Sequence, residues 1–174
     1  CCYSVLATRQ PAARTLQDLD PLTPAFLVTD EAHAAAAAAL GYSGQIIRLD
    51  DLLAAPADAA LLANRRRQAV DVDPLYINFT SGSTGVPKGV TVSHRSVLDF
   101  IPQFAEIFGI TQNDILGNQA PFDFDVSVKD LYTALYTGAK VQIIPRAYFS
   151  QPTKLMVYLA DHEVTILVWA VSAM

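Results

Sequence analysis

The residues best placed to do chemistry are Thr80-Ser81-Gly82-Ser83-Thr84-Gly85-Val86-Pro87-Lys88-Gly89-Val90. Glycines let a backbone take unusual angles and come close to a ligand. Successive N–H groups can then converge on one anion. Thr80, Ser81, Ser83 and Thr84 add hydroxyl donors without bulk, Lys88 supplies the positive charge a polyphosphate needs, and Pro87 restricts the backbone just before it. The spacing therefore predicts a polyphosphate cradle made by Thr80, Ser81, Gly82, Ser83, Thr84, Gly85 and Lys88. A plain turn-rich loop is the alternative, since Gly and Ser are common in any turn. The nucleotide-hydrolase P-loop does not match: it needs Gly-Lys-Ser/Thr at the mouth of a helix, whereas Lys88 lies between Pro87 and Gly89-Val90 and a strand is predicted to follow.

The second chemically loaded segment is Phe122-Asp123-Phe124-Asp125-Val126-Ser127-Val128-Lys129-Asp130. Ser127 with Asp130 three residues on has the spacing of a capping pair at a helix start. Asp125 is left over from that reading. Among aromatic and aliphatic neighbours an unpaired carboxylate is costly, and a partner cation would offset the cost. Asp123 is the rival, read as a local polar contact.

These segments need elements to hold them. Alternation over 75–80 and again over 89–93 predicts two strands flanking the loop. Ser93 can cap a helix whose apolar face is read as Val97, Leu98, Ile101, Phe104, Ile107 and Phe108, ended by Gly109, with Pro102 as a kink or break. Helix 10–19, strand 24–29, helix 31–40 capped by Asp30, and strand 45–49 come before, joined by an exposed connector over 54–73. Strand 117–122, helix 125–136, strand 140–145, helix 152–162 and strand 165–171 come after. Strands alternating with helices predict an α/β fold with mostly parallel sheets and crossover helices.

Composition sets outer bounds. The chain has 174 residues, 52% of them hydrophobic and 17% charged, with a net charge of -5. That is ample apolar material for a core, and it gives no basic footprint for nucleic acid. Arg65-Arg66-Arg67 lacks interleaved aromatics and reads as a solvated face. No apolar run is long enough for a membrane span. Cys1 and Cys2 are adjacent and give no disulfide framework, which fits a cytoplasmic setting. His33 and His162 have no metal-ligand spacing, and His94 reads as structural. No residue is assigned as catalytic or metal-binding.

The stretch from Tyr76 to Val90, followed by Ser93-His94-Arg95-Ser96-Val97, resembles the signature of the ANL superfamily of adenylate-forming, AMP-binding enzymes. Tyr76-Ile77 and the His-Arg-Ser-Val continuation are most similar to the adenylation domains of nonribosomal peptide synthetases. Tyr3 to Arg14 resembles an earlier family segment, keeping Pro11 and Arg14 but departing at Ser4, Val5, Ala7 and Thr8. The resemblance implies an incomplete adenylation domain over 1–174. Residues 74–93 would form the strand–loop–strand that takes the β- and γ-phosphates of ATP, and 117–174 half of an amino-acid pocket. It implies that Asp125 binds the α-ammonium of an amino acid, and that Val126, Lys129 and Val168 line the side-chain pocket. Lys129 could pair with a polar or acidic substrate side chain, or instead point to solvent, and Val168 could be core.

The implied reaction uses ATP and Mg²⁺ to make an aminoacyl-adenylate. The acyl group then passes to the phosphopantetheine thiol of a carrier domain. A ribose-binding Asp, a hinge and a mobile C-terminal subdomain with its Lys are absent from these residues, so the 174-residue piece is expected not to adenylate by itself. An acyl-CoA synthetase-type ligase and a truncated, non-catalytic nucleotide-binding fragment are the alternatives.

Overall fold

The computed structural model describes residues 1–80 and 87–169. The loop residues Ser81, Gly82, Ser83, Thr84 and Gly85 thus lie outside the described residues. Helix α1 (Ala12–Leu22) leads to strand β1 (Phe26–Thr29), helix α2 (Ala34–Ala39) and strand β2 (Gln45–Arg48). β1 and β2 pair in parallel, with α2 as the crossover. Gly41 takes the left-handed conformation (φ 69°) that ends the α2 region, a geometry glycine adopts without penalty. Helices α3 (Leu49–Ala54) and α4 (Ala59–Gln68) follow. The predicted connector is therefore partly helical. Asp58 caps α4 by accepting from the Leu61 N–H at 2.8 Å, a local signal that outweighs the helix's lack of any buried residue. The three arginines in its last turn are exposed.

Strand β3 (Pro74–Thr80) and strand β4 (Lys88–Ser93) form an antiparallel hairpin. The amino terminus joins it, with Tyr3 bridging Tyr76 in parallel. Ser93 caps helix α5 (His94–Phe108) by accepting from the Ser96 N–H at 3.3 Å, and Gly109 closes the helix at φ 63°. α5 runs through Pro102 without a break. Its buried residues are Val97, Ile101, Phe104 and Ala105. Leu98 and Ile107 are 65% and 77% exposed, and Phe108 is also exposed, so the core stripe is narrower than predicted. The buried set follows the i, i+4, i+7, i+8 spacing of one helix face. Leu98 and Ile107 fall off it, whereas Phe108 lies on it at the exposed end of the helix, its ring centroid 4.7 Å from that of Phe104.

Strand β5 (Ile115–Asn118), helix α6 (Ser127–Thr137) and strand β6 (Lys140–Ile143) form a second parallel unit. A 3₁₀ turn (Arg146–Ser150) and helix α7 (Pro152–Asp161) end the regular structure. The predicted strand over 165–171 is not formed among the described residues. Ile166 makes an isolated bridge to Leu116, with the Gly117 N–H donating to the Ile166 carbonyl at 2.9 Å. The described residues thus hold three two-stranded sheets, two parallel and one antiparallel. One apolar cluster (Tyr76, Val97, Ile101, Val128) joins the hairpin to α5 and α6. Another (Phe104, Ile110, Leu116) joins α5 to β5.

Gly117 is where the second unit leaves no room. A Cβ built there would lie 2.6 Å from Leu167 Cδ2, 3.0 Å from Val164 Cγ1 and 3.2 Å from Ile144 Cδ1. Gly117→Ala is expected to destabilise by about 1–3 kcal/mol through overpacking, read as a lowered midpoint in denaturant unfolding.

Candidate functional site

Antiparallel pairing decides which hairpin residues share a face. Tyr76 pairs with Val92, Asn78 with Val90 and Thr80 with Lys88. Side chains two apart on a strand point the same way, and direct cross-strand partners share that face. Tyr76, Asn78, Thr80, Val90 and Val92 therefore present one surface. It forms a wall of a cavity of about 300 Å³, closed on the other side by Asp123, Phe124 and Asp125. The opposite face is tight at Gly89, where a Cβ would come within 3.1 Å of Ile77 Cγ2.

A second cavity, about 340 Å³, lies beside the first. The hairpin contributes Tyr76 and Val92, and α5 contributes Ser96, Val97 and Phe100. Asp125, Val126, Val128 and Lys129 complete it from the start of α6. Tyr76, Val92 and Asp125 line both cavities, so Asp125 stands at their shared wall.

Two turns set Asp125 there. The Phe124 N–H donates to the Pro121 carbonyl at 3.0 Å, and the Val128 N–H to the Asp125 carbonyl at 3.0 Å. The Asp125 carboxylate is exposed and makes no hydrogen bond or ion pair among the described residues. The predicted burial cost therefore does not arise at this position. Burial raises the Tyr76 phenol above its ordinary value, and the Asp125 charge adds to the shift.

The Ser127–Asp130 capping pair is not formed. The Ser127 hydroxyl donates back to the Phe124 carbonyl at 2.6 Å, and α6 has no side-chain cap. Asp130 instead faces inward at 2% exposure. Its Oδ1 accepts from Lys129 Nζ at 2.6 Å, and its Oδ2 from Asn118 Nδ2 at 3.1 Å. Lys129 is itself buried at 9%, so neither a solvent-facing lysine nor an unpaired one describes it. Burial pushes the Asp130 carboxyl above the usual carboxylate range, against the pull of Lys129 and Asn118. A buried charge is tolerated when it is paired and hydrogen-bonded, and both conditions hold here.

The sequence-derived candidates separate clearly. Thr80 lines one cavity with Asp125; Val126 and Lys129 line the other with Asp125. Lys88 is exposed at the start of β4, opposite Thr80, and lines neither cavity. Val168 packs against the Phe104–Ile110–Leu116 cluster and also lines neither. Sequence reading missed Tyr76, Asn78 and Phe124 as cavity walls, although the alternation that predicted β3 already put Tyr76, Asn78 and Thr80 on one side. It also missed the Asn118–Asp130 contact, which joins residues twelve apart and has no local signal. Among the described residues no group of three His, Cys, Asp or Glu could hold a metal ion, and no helix is long and apolar enough to cross a membrane.

The chain belongs to the AMP-binding enzyme family, which it matches over residues 1–174. It is 33% identical over 128 residues to tyrocidine synthase 1 of Brevibacillus parabrevis, covering 74% of this chain and 12% of that protein. It is 41% identical over 99 residues to an L-proline–[L-prolyl-carrier protein] ligase of Pseudomonas fluorescens, covering 56% and 20%. The fold matches the McyG A-PCP structure complexed with phenylalanyl-adenylate, with a TM-score of 0.76, 20% identity and coverage of 95% and 27%. It also matches Bacillus subtilis O-succinylbenzoate coenzyme A synthetase in complex with ATP and magnesium ion, with a TM-score of 0.74, 20% identity and coverage of 95% and 42%. The chain thus spans about an eighth and a fifth of the lengths of these two curated relatives.

Proposed function

We propose that this chain is the N-terminal core of a ligase that activates an amino acid with ATP and hands the acyl group to a carrier-protein thiol. The observation that carries the reading is Asp125: a carboxylate without a partner among the described residues, at the wall shared by two cavities beneath the hairpin. One cavity is lined by Thr80, the last described residue before the phosphate-loop segment. The other is apolar and suits a side chain. In this reading Thr80, Ser81, Gly82, Ser83, Thr84, Gly85 and Lys88 hold the phosphates. Asp125 holds the α-ammonium, and Val126, Lys129 and Val168 belong to the side-chain half.

A substrate carboxylate oxygen forms a bond to the α-phosphorus of ATP as the bond to the pyrophosphate oxygen breaks, leaving aminoacyl-adenylate and pyrophosphate. The carrier thiol sulfur then takes the carbonyl carbon, with AMP leaving and the thiol proton lost. Two anions meet in the first step, so positioning and charge neutralisation dominate. The residues at the loop end fit Mg²⁺, which prefers oxygen donors and arrives on phosphates with much of its water: hydroxyls such as that of Thr80 suit it, and a carboxylate cage is not required. Mg²⁺ supplies charge neutralisation on the polyphosphate.

The test is amino-acid-dependent ATP–pyrophosphate exchange by the protein that carries this chain. Lys88→Ala is expected to raise the KM for ATP by about tenfold or more, the size of losing a charge-assisted contact. Unchanged ATP kinetics would remove Lys88 from the phosphate site. The 174 residues alone are expected not to sustain exchange, since they correspond to so small a share of the relatives; robust turnover by them would contradict this. An acyl-CoA synthetase-type ligase would respond to carboxylic acids without an α-amino group. A non-catalytic nucleotide-binding fragment would bind ATP without exchange.

A further inference from the structure

We propose that the side chain read by the second cavity is neutral and apolar, an inference that rests on the amino-acid-activating reading above. Charge and lining carry it. Two ionic groups touch this cavity, Asp125 and Lys129. The Lys129 ammonium is already taken by Asp130 Oδ1 at 2.6 Å, and the other Asp130 oxygen is held by Asn118 at 3.1 Å. Neither Asp130 nor Asn118 lines the cavity. Lys129 therefore contributes its aliphatic chain to the wall and turns its charge toward a buried partner, as long cationic side chains commonly do.

An acidic substrate side chain would have to draw that ammonium away. Asp130, at 2% exposure, would then be a buried carboxylate without its cation, and that is strongly unfavourable. A second cationic group on the substrate would meet only Asp125, which the α-ammonium occupies in this reading. What remains is Val92, Val97, Phe100, Val126 and Val128 with the Tyr76 ring, and Ser96, whose hydroxyl is engaged by the Ser93 hydroxyl at 3.1 Å. Such a wall gains from burying apolar surface and leaves polar groups without partners.

The experiment is a panel of amino acids in ATP–pyrophosphate exchange, using the protein that carries this chain and the double variant Lys129→Met/Asp130→Asn. Valine, leucine, isoleucine, methionine or phenylalanine is expected to lead. Aspartate and glutamate should fall at least ~100-fold below it in kcat/KM, the scale on which an uncompensated buried charge acts. The double variant removes the ion pair without stranding either charge. It is expected to keep the same order of preference, because the charge it removes faces Asp130 and not the substrate, while Met keeps an unbranched apolar chain on the wall. Preference is a ratio within one protein, so partial loss of folded protein does not disturb it. An acidic, basic or amide amino acid leading the wild-type panel overturns this inference and leaves the amino-acid-activating reading standing. A reordered panel in the double variant also overturns it. No exchange with any amino acid overturns both.

Discussion

Asp125→Ala is expected to reduce kcat/KM for the amino acid in ATP–pyrophosphate exchange by at least ~30-fold, with little change in the KM for ATP. The expectation follows from position. Asp125 lines both cavities, and its carboxylate has no hydrogen-bond partner among the described residues. It has therefore little structural work to lose. Its backbone carbonyl, which accepts from the Val128 N–H, survives the substitution. Midpoints in denaturant unfolding should stay at the wild-type value. A loss of exchange with unchanged folding would place Asp125 on the substrate. A loss that tracks a falling midpoint would make it a structural residue. Asp123→Ala provides the contrast: Asp123 lines the loop-side cavity only, and its effect on discrimination among amino acids is expected to be small.

Lys129→Met carries the largest expected effect on stability. It leaves Asp130 buried beside Asn118 without its cation, which costs about 3–5 kcal/mol in comparable broken pairs. The pH dependence follows from the carboxyl. Burial already holds Asp130 above the ordinary carboxylate range, while Lys129 and Asn118 pull it down. A carboxyl with a raised folded pKa contributes stability below its unfolded pKa, and that contribution is lost as pH rises through the folded value. Removing Lys129 takes away a lowering partner and raises the folded value further. The deficit of Lys129→Met should thus be greatest near neutral pH and shrink as pH falls toward the unfolded carboxylate range. Adding Asp130→Asn should recover most of the loss, since a neutral amide can still accept from Asn118 and no charge is stranded. Equal denaturant midpoints for wild type and Lys129→Met at neutral pH would contradict the pairing.

Much of this architecture was legible in the residues. The two strands flanking the loop were predicted, though not their antiparallel pairing within a fold read as mostly parallel, and the strand after Lys88 excluded a Walker-type loop. Asp125 was singled out through a capping pair that does not form and a burial that does not occur, so its place at the wall of both cavities was not legible from spacing. The parallel units followed from strand–helix–strand order. What failed did so for tertiary reasons. Asp130 had the spacing of a capping residue, but a buried lysine and Asn118 from another strand claimed it. Lys129 read as a surface lysine because the partner that holds it inward adjoins it in sequence and becomes buried only on packing. The α5 stripe is narrower than its apolar residues suggest because Leu98 and Ile107 are apolar without facing the core, and Phe108 is on the core face but at the exposed helix end. The α4 helix was missed because its residues bury nothing, so only the Asp58 cap marks it.

We propose that Asp125 recognises an α-ammonium, so that the site takes amino acids. The most direct measurement compares exchange with the preferred amino acid against exchange with the same acid lacking its α-amino group, in wild type and in Asp125→Ala. Wild type should favour the amino acid by at least ~30-fold, and Asp125→Ala should bring the ratio close to one, as expected when a single charged contact carries the difference. A wild-type protein that uses the two acids equally well, or a preference that survives Asp125→Ala intact, would contradict the account.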